Sequence, residues 1–255
     1  MEDALDTVAI HAFGNELFRV LPMINKIADS VAEALAGVKD GSTVMVGGFG
    51  TSGVPGELID GLIEQGARDL TVVNNNAGNA DHGLAALLKA GRVRKMICSF
   101  PRQVDSWVFD ALYRSGKLEL ELVPQGNLAE RMRAAGAGIG AFYCPTSFGT
   151  ELAQGKETRE INGRPYVLEY PIHGDVALIK AEAGDRWGNL VYRKAARNFG
   201  PVMATAAKLT IATVYDIKAL GELDPETVVT PGIYVGKIVK IPRIATQAGG
   251  FRRQA

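Results

Sequence analysis

The chain has 255 residues, and its 28 lysines and arginines balance its 28 aspartates and glutamates. This length suits one large α/β domain, and zero net charge argues against a nucleic-acid scaffold, which normally carries a basic surplus. No apolar stretch is long enough to span a bilayer. Cys98 and Cys144 lie far apart without metal-ligand spacing, so we predict free thiols, no metal site and a reducing, cytoplasmic setting.

Residues 1–22 differ in their residue pattern from the rest of the chain. They lack the basic start and continuous apolar run of a signal peptide, and their acidic residues speak against a mitochondrial transit peptide. Met23 directly precedes the first helical pattern. We therefore expect either that Met23 is the physiological start or that residues 1–22 form a loose leader. One domain is predicted over 23–245, followed by a flexible tail over 246–255.

A glycine-rich motif follows the first predicted helix, whose apolar residues recur at helical spacing over 27–38. A buried strand is predicted over 43–46, and it runs into a glycine-rich turn over 47–53. Pro55 then begins a helix with one apolar face. Glycines let backbone N–H groups approach a ligand, and a helix N-terminus favours an anion. The motif therefore predicts a phosphate-bearing ligand.

The same turn also satisfies the dinucleotide-binding pattern G-x-G-x-x-G over residues 48–53. That interpretation requires an acidic residue roughly 20 positions further on, at the end of the second strand, where it holds a ribose hydroxyl. The second strand, predicted over 69–73, ends instead in Asn74-Asn75-Asn76. A nicotinamide-dependent dehydrogenase is therefore an alternative for which the required acidic residue is absent from the end of the second strand.

The chain continues as alternating helices and strands. Strands are predicted over 93–100 and 118–123, and helices over 81–90, over 105–115 and through residue 132. Such alternation predicts an open, mostly parallel, doubly wound sheet, whose ligand crevice lies beyond the carboxyl ends of the strands. The loops at that edge are polar or glycine-rich and comprise residues 47–53, 74–78, 100–103 and 124–126.

From residue 134 onward, β-type signals dominate. Residues 159–168 contain Asn162-Gly163, a two-residue turn typical of a β-hairpin. Further strands are predicted over 176–180, 208–215 and 238–241. The predicted fold class is therefore α/β, with an open, mostly parallel doubly wound sheet and a β-rich insertion in the second half.

The motifs now placed resemble those of family I CoA-transferases, in particular the A chain of the 3-oxoacid enzymes. Residues 40–55 fit the family signature at every defined position: Asp-Gly, two free residues, three apolar ones, Gly-Gly-Phe, then Gly and Pro. The resemblance continues through residues 75–78, 124–131 and 193–199, and it covers about 24–239. Residues 98–103, Cys-Ser-Phe-Pro-Arg-Gln, are most similar to the 3-oxoadipate branch of the family.

This resemblance implies covalent transfer of CoA from succinyl-CoA to 3-oxoadipate. A glutamate of a partner B subunit forms a glutamyl-CoA thioester, which divides one hard step into easier ones. This chain contains no Glu-Asn-Gly, the context of that glutamate, and Glu160 lies in an interrupted version inside the predicted hairpin. We therefore assign no catalytic residue to this chain. It is expected to need the B subunit in an α2β2 heterotetramer, with a CoA thioester as substrate and no tightly bound cofactor.

The resemblance also implies binding residues. The CoA-binding stretch is the glycine-rich turn, made of Gly47, Gly48, Phe49, Gly50, Thr51, Ser52 and Gly53. Asn75, Asn76 and Gln125 match positions that face the substrate in relatives, where neutral amides bind a carboxylate without quenching the nucleophilic glutamate. Arg102 is our hypothesis for the second carboxylate of 3-oxoadipate, which acetoacetate lacks. The alternative for Arg102 is a solvated surface arginine.

Other interpretations stay open from sequence alone. The same chemistry with acetoacetate or another short 3-oxo acid changes only the acceptor, whereas a stand-alone acyl-CoA-binding protein would bind its ligand tightly without a partner. Arg193, Lys194 and Arg197 meet CoA phosphates, meet the partner chain, or form a solvated face, and they stay outside the predicted site. We predict no nucleic-acid or membrane partner.

Overall fold

The computed structural model of the protein describes residues 23–243. The predicted leader over 1–22 and the predicted tail over 246–255 lie outside these residues. Within 23–243, no helix is both long enough and apolar enough to cross a membrane.

Strands and helices alternate through the first half of the described chain. In order they are α1 (Val31–Leu35), β1 (Thr43–Val46), α2 (Gly56–Gln65), β2 (Leu70–Val73), α3 (Leu84–Lys89), β3 (Val93–Cys98), α4 (Trp107–Arg114), β4 (Glu119–Leu122) and α5 (Gln125–Gly136). The second half is richer in strands. It contains β5 (Phe142–Cys144), β6 (Thr158–Ile161), β7 (Arg164–Glu169), β8 (Gly174–Lys180), β9 (Ala183–Asp185), β10 (Leu190–Val191), α6 (Gly200–Ala206), β11 (Ala207–Val214), β12 (Asp216–Lys218) and β13 (Lys237–Lys240).

Seven strands form one open sheet in the order β13-β11-β8-β1-β2-β3-β4, and every neighbouring pair is parallel. This confirms the predicted sheet. The chain adds β2, β3 and β4 on one side of β1, and later adds β8, β11 and β13 on the other side. The direction of winding therefore reverses between β1 and β8, where the carboxyl ends of the strands open a crevice suited to a ligand.

Helices cover both faces of this sheet. Because successive strand residues point to opposite faces, the sheet contributes side chains to two hydrophobic cores. On one face Val44 and Val46 belong to a core that also contains buried residues of α1 to α4. On the other face Met45 belongs to a core with Met132 of α5 and Met203 of α6. Burial of such a side chain stabilises the fold by roughly 1.5–3 kcal/mol. The two cores confirm the doubly wound prediction.

The β-rich insertion is a three-stranded antiparallel sheet of order β5-β7-β6. Its hairpin turn places Asn162 at φ 52° and Gly163 at φ 73°. Positive φ at both central residues is what a type I′ turn requires. Both the insertion and the Asn-Gly hairpin are therefore confirmed. A second small sheet, of order β10-β9-β12, lies after β8 in the chain.

The first helix is much shorter than its apolar spacing indicates, so the prediction over 27–38 is wrong at both ends. Only Val31–Leu35 is helical, and the Ser30 hydroxyl caps it by accepting the Glu33 N–H at 3.1 Å. Ile27 instead forms a parallel bridge with Ile238. The periodic spacing is real, but pairing with a strand far along the chain overrides it at this end.

Candidate functional site

The glycine-rich turn after β1 is a tight loop that its glycines permit. Phe49 and Ser52 exchange two backbone hydrogen bonds of 3.0 Å, which closes the loop on itself. Gly48 has φ +121°, and a Cβ there would lie 2.6 Å from Val54 Cγ2. Gly53 has φ +71°, and a Cβ there would lie 2.4 Å from the Ala196 carbonyl oxygen. Side chains are thus excluded by backbone conformation and by close approach.

Asn198 ties this loop to the segment that packs on it. Its Oδ1 accepts the N–H of Gly48 at 3.1 Å and of Phe199 at 2.7 Å. Its Nδ2 donates to the carbonyls of Ser52 at 3.0 Å and Ala195 at 2.9 Å. Two bonds accepted and two donated use the full capacity of the side chain. The sequence prediction missed Asn198, because nothing local signals a contact 150 residues away.

An amide cluster lies at the carboxyl ends of β2, β3 and β4. Asn75 is 3% exposed, and its Oδ1 accepts the Ser99 hydroxyl at 2.7 Å and Gln125 Nε2 at 2.8 Å. Within residues 23–243, Asn75 Nδ2 has no acceptor, which leaves both of its N–H groups free to donate to a ligand. The structure therefore brings Asn75 and Gln125 together, and adds Ser99, which the sequence prediction did not include.

Asn76 lies beside this cluster but has a different role in the fold. Its Oδ1 accepts the Gly78 N–H at 2.8 Å, which forms a local turn. Its own N–H donates to Asn74 Oδ1 at 2.8 Å, and Asn74 Nδ2 donates to the Val46 carbonyl at 2.5 Å. The buried Asn74 thereby fastens the loop after β2 to the end of β1.

Two adjoining cavities open at this edge of the sheet. The first, here called the amide cavity, is about 410 Å³ and is lined by Phe49, Gly50, Asn75, Ser99, Phe100, Gln103 and Gln125. The second, here called the lysine cavity, is about 290 Å³, and the residues that line it include Thr51, Glu57, Asn76 and Lys180. Gly50 and Gln103 line both, so the glycine-rich turn lies between the two spaces.

Arg102 does not line either cavity. Its Nε and Nη2 atoms both lie 2.8 Å from Asp110 Oδ1, and 58% of its side chain is exposed. The next residue, Gln103, does line both cavities. Its side-chain amide has no hydrogen-bond partner within 23–243, whereas its backbone is held by Ser106. Arg102 therefore stays a prediction as a substrate-binding residue, and the structure adds Gln103 as a second candidate in the same loop.

The lysine cavity holds a partly buried charge pair that the sequence prediction missed. Lys180 Nζ, at the end of β8, lies 3.4 Å from both carboxylate oxygens of Glu57. It also lies 4.9 Å from the centre of the Tyr215 ring, a cation–π geometry. Partial burial, followed by the charges of Glu57 and Glu64, raises the pKa of the nearby Asp60 carboxyl.

The described cysteines are both free, as predicted. Burial raises the pKa of the Cys98 thiol to about 12, so the thiol is neutral near pH 7 and is a poor nucleophile. Among residues 23–243, no group of three or more His, Cys, Asp or Glu side chains is placed to hold a metal ion.

Comparisons with known proteins identify the family of this chain. Residues 28–241 match the Coenzyme A transferase family. The chain is 67% identical over 226 residues to the A chain of 3-oxoadipate CoA-transferase from Pseudomonas putida, covering 89% of this chain and 98% of that one. It is 49% identical over 217 residues to the A chain of succinyl-CoA:3-ketoacid coenzyme A transferase from Helicobacter pylori, covering 85% and 93%.

The fold is also found in a solved enzyme. Glutaconate coenzyme A-transferase from Acidaminococcus fermentans superposes with a TM-score of 0.76 at 23% identity, covering 85% of this chain and 76% of that one. That likeness shows the fold, while the family match and the closer sequence relatives cover nearly all of the described residues. The chain therefore belongs to the coenzyme A transferase family.

Proposed function

We propose that this chain is the A component of an enzyme that moves CoA from succinyl-CoA to 3-oxoadipate, through a glutamyl-CoA thioester on a partner B subunit. The observation that carries the proposal is the 67% identity to a 3-oxoadipate enzyme's A chain, of which this chain covers 98%. The A chain of the 3-ketoacid enzyme from Helicobacter pylori is 49% identical to this chain. This difference favours 3-oxoadipate over acetoacetate as the acceptor.

The chemistry consists of four acyl transfers. The partner's glutamate attacks the succinyl-CoA carbonyl and expels CoA thiolate, which leaves a mixed anhydride. The thiolate attacks the glutamyl carbonyl and releases succinate. A carboxylate of 3-oxoadipate then attacks glutamyl-CoA and expels the thiolate, which finally attacks the 3-oxoadipyl carbonyl and frees the glutamate. Each step passes through a tetrahedral oxyanion, which preorganised hydrogen-bond donors stabilise.

In this proposal the amide cavity holds the reacting carboxylate or its oxyanion. Asn75 Oδ1 is occupied by Ser99 and Gln125, which fixes the amide plane and leaves Nδ2 as a directed donor. None of the residues lining the cavity carries a charge. An approaching glutamate is therefore not neutralised by a cation, and its nucleophilicity is preserved. Asn76 orders the loop and lines the neighbouring cavity.

The remaining binding residues follow the same proposal. The glycine-rich turn, residues 47–53, meets the CoA thioester. The second carboxylate of 3-oxoadipate meets Arg102, once its pair with Asp110 opens, with the unpaired amide of Gln103 beside it. We place the assembly in the cytoplasm as an α2β2 heterotetramer, a setting consistent with the free thiols.

The decisive test is native mass spectrometry of the complex purified from its own cells, with and without succinyl-CoA. We expect a second chain of similar size that gains a CoA adduct on a glutamate. An adduct on this chain would mean that the nucleophile lies here. A lone species that binds succinyl-CoA tightly and forms no adduct would support the stand-alone binding protein instead.

A further inference from the structure

A third cavity adjoins the amide cavity at Phe49. It is about 430 Å³ and is lined by Phe49, Ser52, Lys194, Ala195, Arg197 and Asn198. We call it the basic cavity, because its two charged side chains are both cations and none of its lining residues is a carboxylate. Phe49 lines both this cavity and the amide cavity, and it is 48% exposed.

The two cations of the basic cavity are not neutralised by the described protein. Within residues 23–243, neither Lys194 nor Arg197 takes part in an ion pair, whereas Lys180 and Lys208 pair with Glu57 and Asp175. An exposed cation can be satisfied by water alone. Two adjacent unpaired cations in one concavity nevertheless produce a local positive potential that favours an anion.

The backbone sets both cations toward one side. Lys194–Arg197 is a turn of 3₁₀ helix, in which side chains three residues apart lie on the same face. Lys194 begins this turn at φ 51°, a left-handed conformation that non-glycine residues seldom adopt. The Asn198 side chain then fixes the end of the turn to the glycine-rich loop through Gly48 and Ser52. The cations are thus carried on a segment that is fastened to the loop.

We propose that the basic cavity binds the phosphates of the nucleotide end of CoA, while the thioester end reaches the amide cavity. Lysine supplies a compact charge and arginine a planar fork that matches phosphate oxygens. The exposed Phe49 ring offers a surface on which the adenine can stack. This inference rests on the proposed function, and it adds Lys194, Arg197 and Phe49 as the anchor for the nucleotide of the CoA substrate.

The test compares two thioesters in the complex with the partner chain. The double variant Lys194→Ala/Arg197→Ala is assayed with succinyl-CoA and with succinyl-pantetheine, which lacks every phosphate. We expect kcat/KM to fall about tenfold for succinyl-CoA, since each partly exposed cation–anion contact is worth only a few-fold. With succinyl-pantetheine, the value should match that of the unsubstituted complex.

A matched control removes two unpaired cations at the opposite edge of the sheet. Arg114 is the last residue of α4, and Lys117 lies between α4 and β4; both are exposed, and neither takes part in an ion pair within the described part of the chain. Arg114→Ala/Lys117→Ala should leave kcat/KM unchanged for both thioesters. A second measurement uses adenosine 3′,5′-bisphosphate, which should compete with succinyl-CoA in the unsubstituted complex and much less in the double variant.

The other outcomes are equally informative. Equal losses with both thioesters, or no loss with either, would overturn the phosphate site. Failure of the double variant to assemble with the partner chain would overturn it in favour of a partner contact. If the unsubstituted complex transfers no CoA, but the bisphosphate still binds and is lost in the variant, the proposed function fails while the phosphate site stands.

Discussion

The two cavities that share Phe49 solve different binding problems. In the amide cavity the polar groups are neutral and joined to one another, as Asn75 is to Ser99 and Gln125. In the basic cavity Lys194 and Arg197 are charged and exposed, and they have no ion-pair partner among residues 23–243. A buried amide held by its neighbours, such as Asn75, provides short-range geometry at a reacting atom, whereas exposed cations provide longer-range attraction that salt weakens. The contrast predicts that substitutions in the amide cavity lower kcat, whereas substitutions in the basic cavity raise KM for succinyl-CoA.

The largest effect should come from the amide cavity. Asn75→Ala removes the directed Nδ2 donor and leaves Ser99 and Gln125 without their shared acceptor. We expect kcat to fall about 100-fold, as for the loss of one oxyanion donor, with little change in KM for succinyl-CoA. Steady-state kinetics of the complex measure both values. Asn162→Gly, at the hairpin turn, is the control. A loss confined to KM would contradict the division between the two cavities.

The next effect probes the loop that joins the two cavities. Gly53→Ala adds a Cβ that would meet the Ala196 carbonyl at 2.4 Å, whereas Gly50→Ala, with a similar positive φ, meets nothing within 4 Å. Both variants carry the left-handed strain of roughly 1–2 kcal/mol. Gly53→Ala should lose about 1–3 kcal/mol more in free energy of unfolding. Chemical denaturation of the complex measures the difference. Equal losses would show that the segment carrying Asn198 moves freely.

A smaller effect concerns choice of acceptor. Arg102→Ala should reduce the preference for 3-oxoadipate over acetoacetate several-fold, because an exposed arginine–carboxylate contact is modest. The ratio of kcat/KM values for the two acceptors is the measurement. Gln103→Ala is the companion variant, since Gln103 already lines both the amide and lysine cavities. An unchanged ratio for Arg102→Ala together with a reduced one for Gln103→Ala would transfer the role to Gln103.

The smallest effect needs no variant. Raising the ionic strength from about 0.05 to about 0.5 M (roughly a threefold shorter screening length) should raise KM for succinyl-CoA a few-fold. KM for succinyl-pantetheine should change much less, because that thioester has no phosphates to screen. Initial-rate measurements across the salt series decide this. Parallel changes for both thioesters would indicate that salt acts on assembly or on the carboxylates, and the contrast between the cavities would lose its electrostatic basis.

Local motifs allowed much of the site to be predicted. The glycine-rich turn was recognisable because backbone angles such as φ +71° at Gly53 leave a sequence signature. Asn75 and Gln125 follow strands that end at one edge of the sheet, so their proximity follows from topology. Asn198 and the pair of Lys180 with Glu57 were missed. Their contacts span 150 and 123 residues, and no spacing within a short window encodes them.

The sequence by itself determined the fold class, the family and the positions of the loops at the carboxyl edge, because periodicity, turn chemistry and strand–helix alternation are short-range steric properties. Only the tertiary structure decided which polar atoms are occupied. It pairs Arg102 with Asp110, leaves Asn75 Nδ2 without an acceptor among residues 23–243, and packs the segment carrying Lys194 and Arg197 on the glycine-rich turn. These pairings depend on which groups, distant in the sequence, are brought within about 3 Å of each other by packing. Local sequence does not specify those distances.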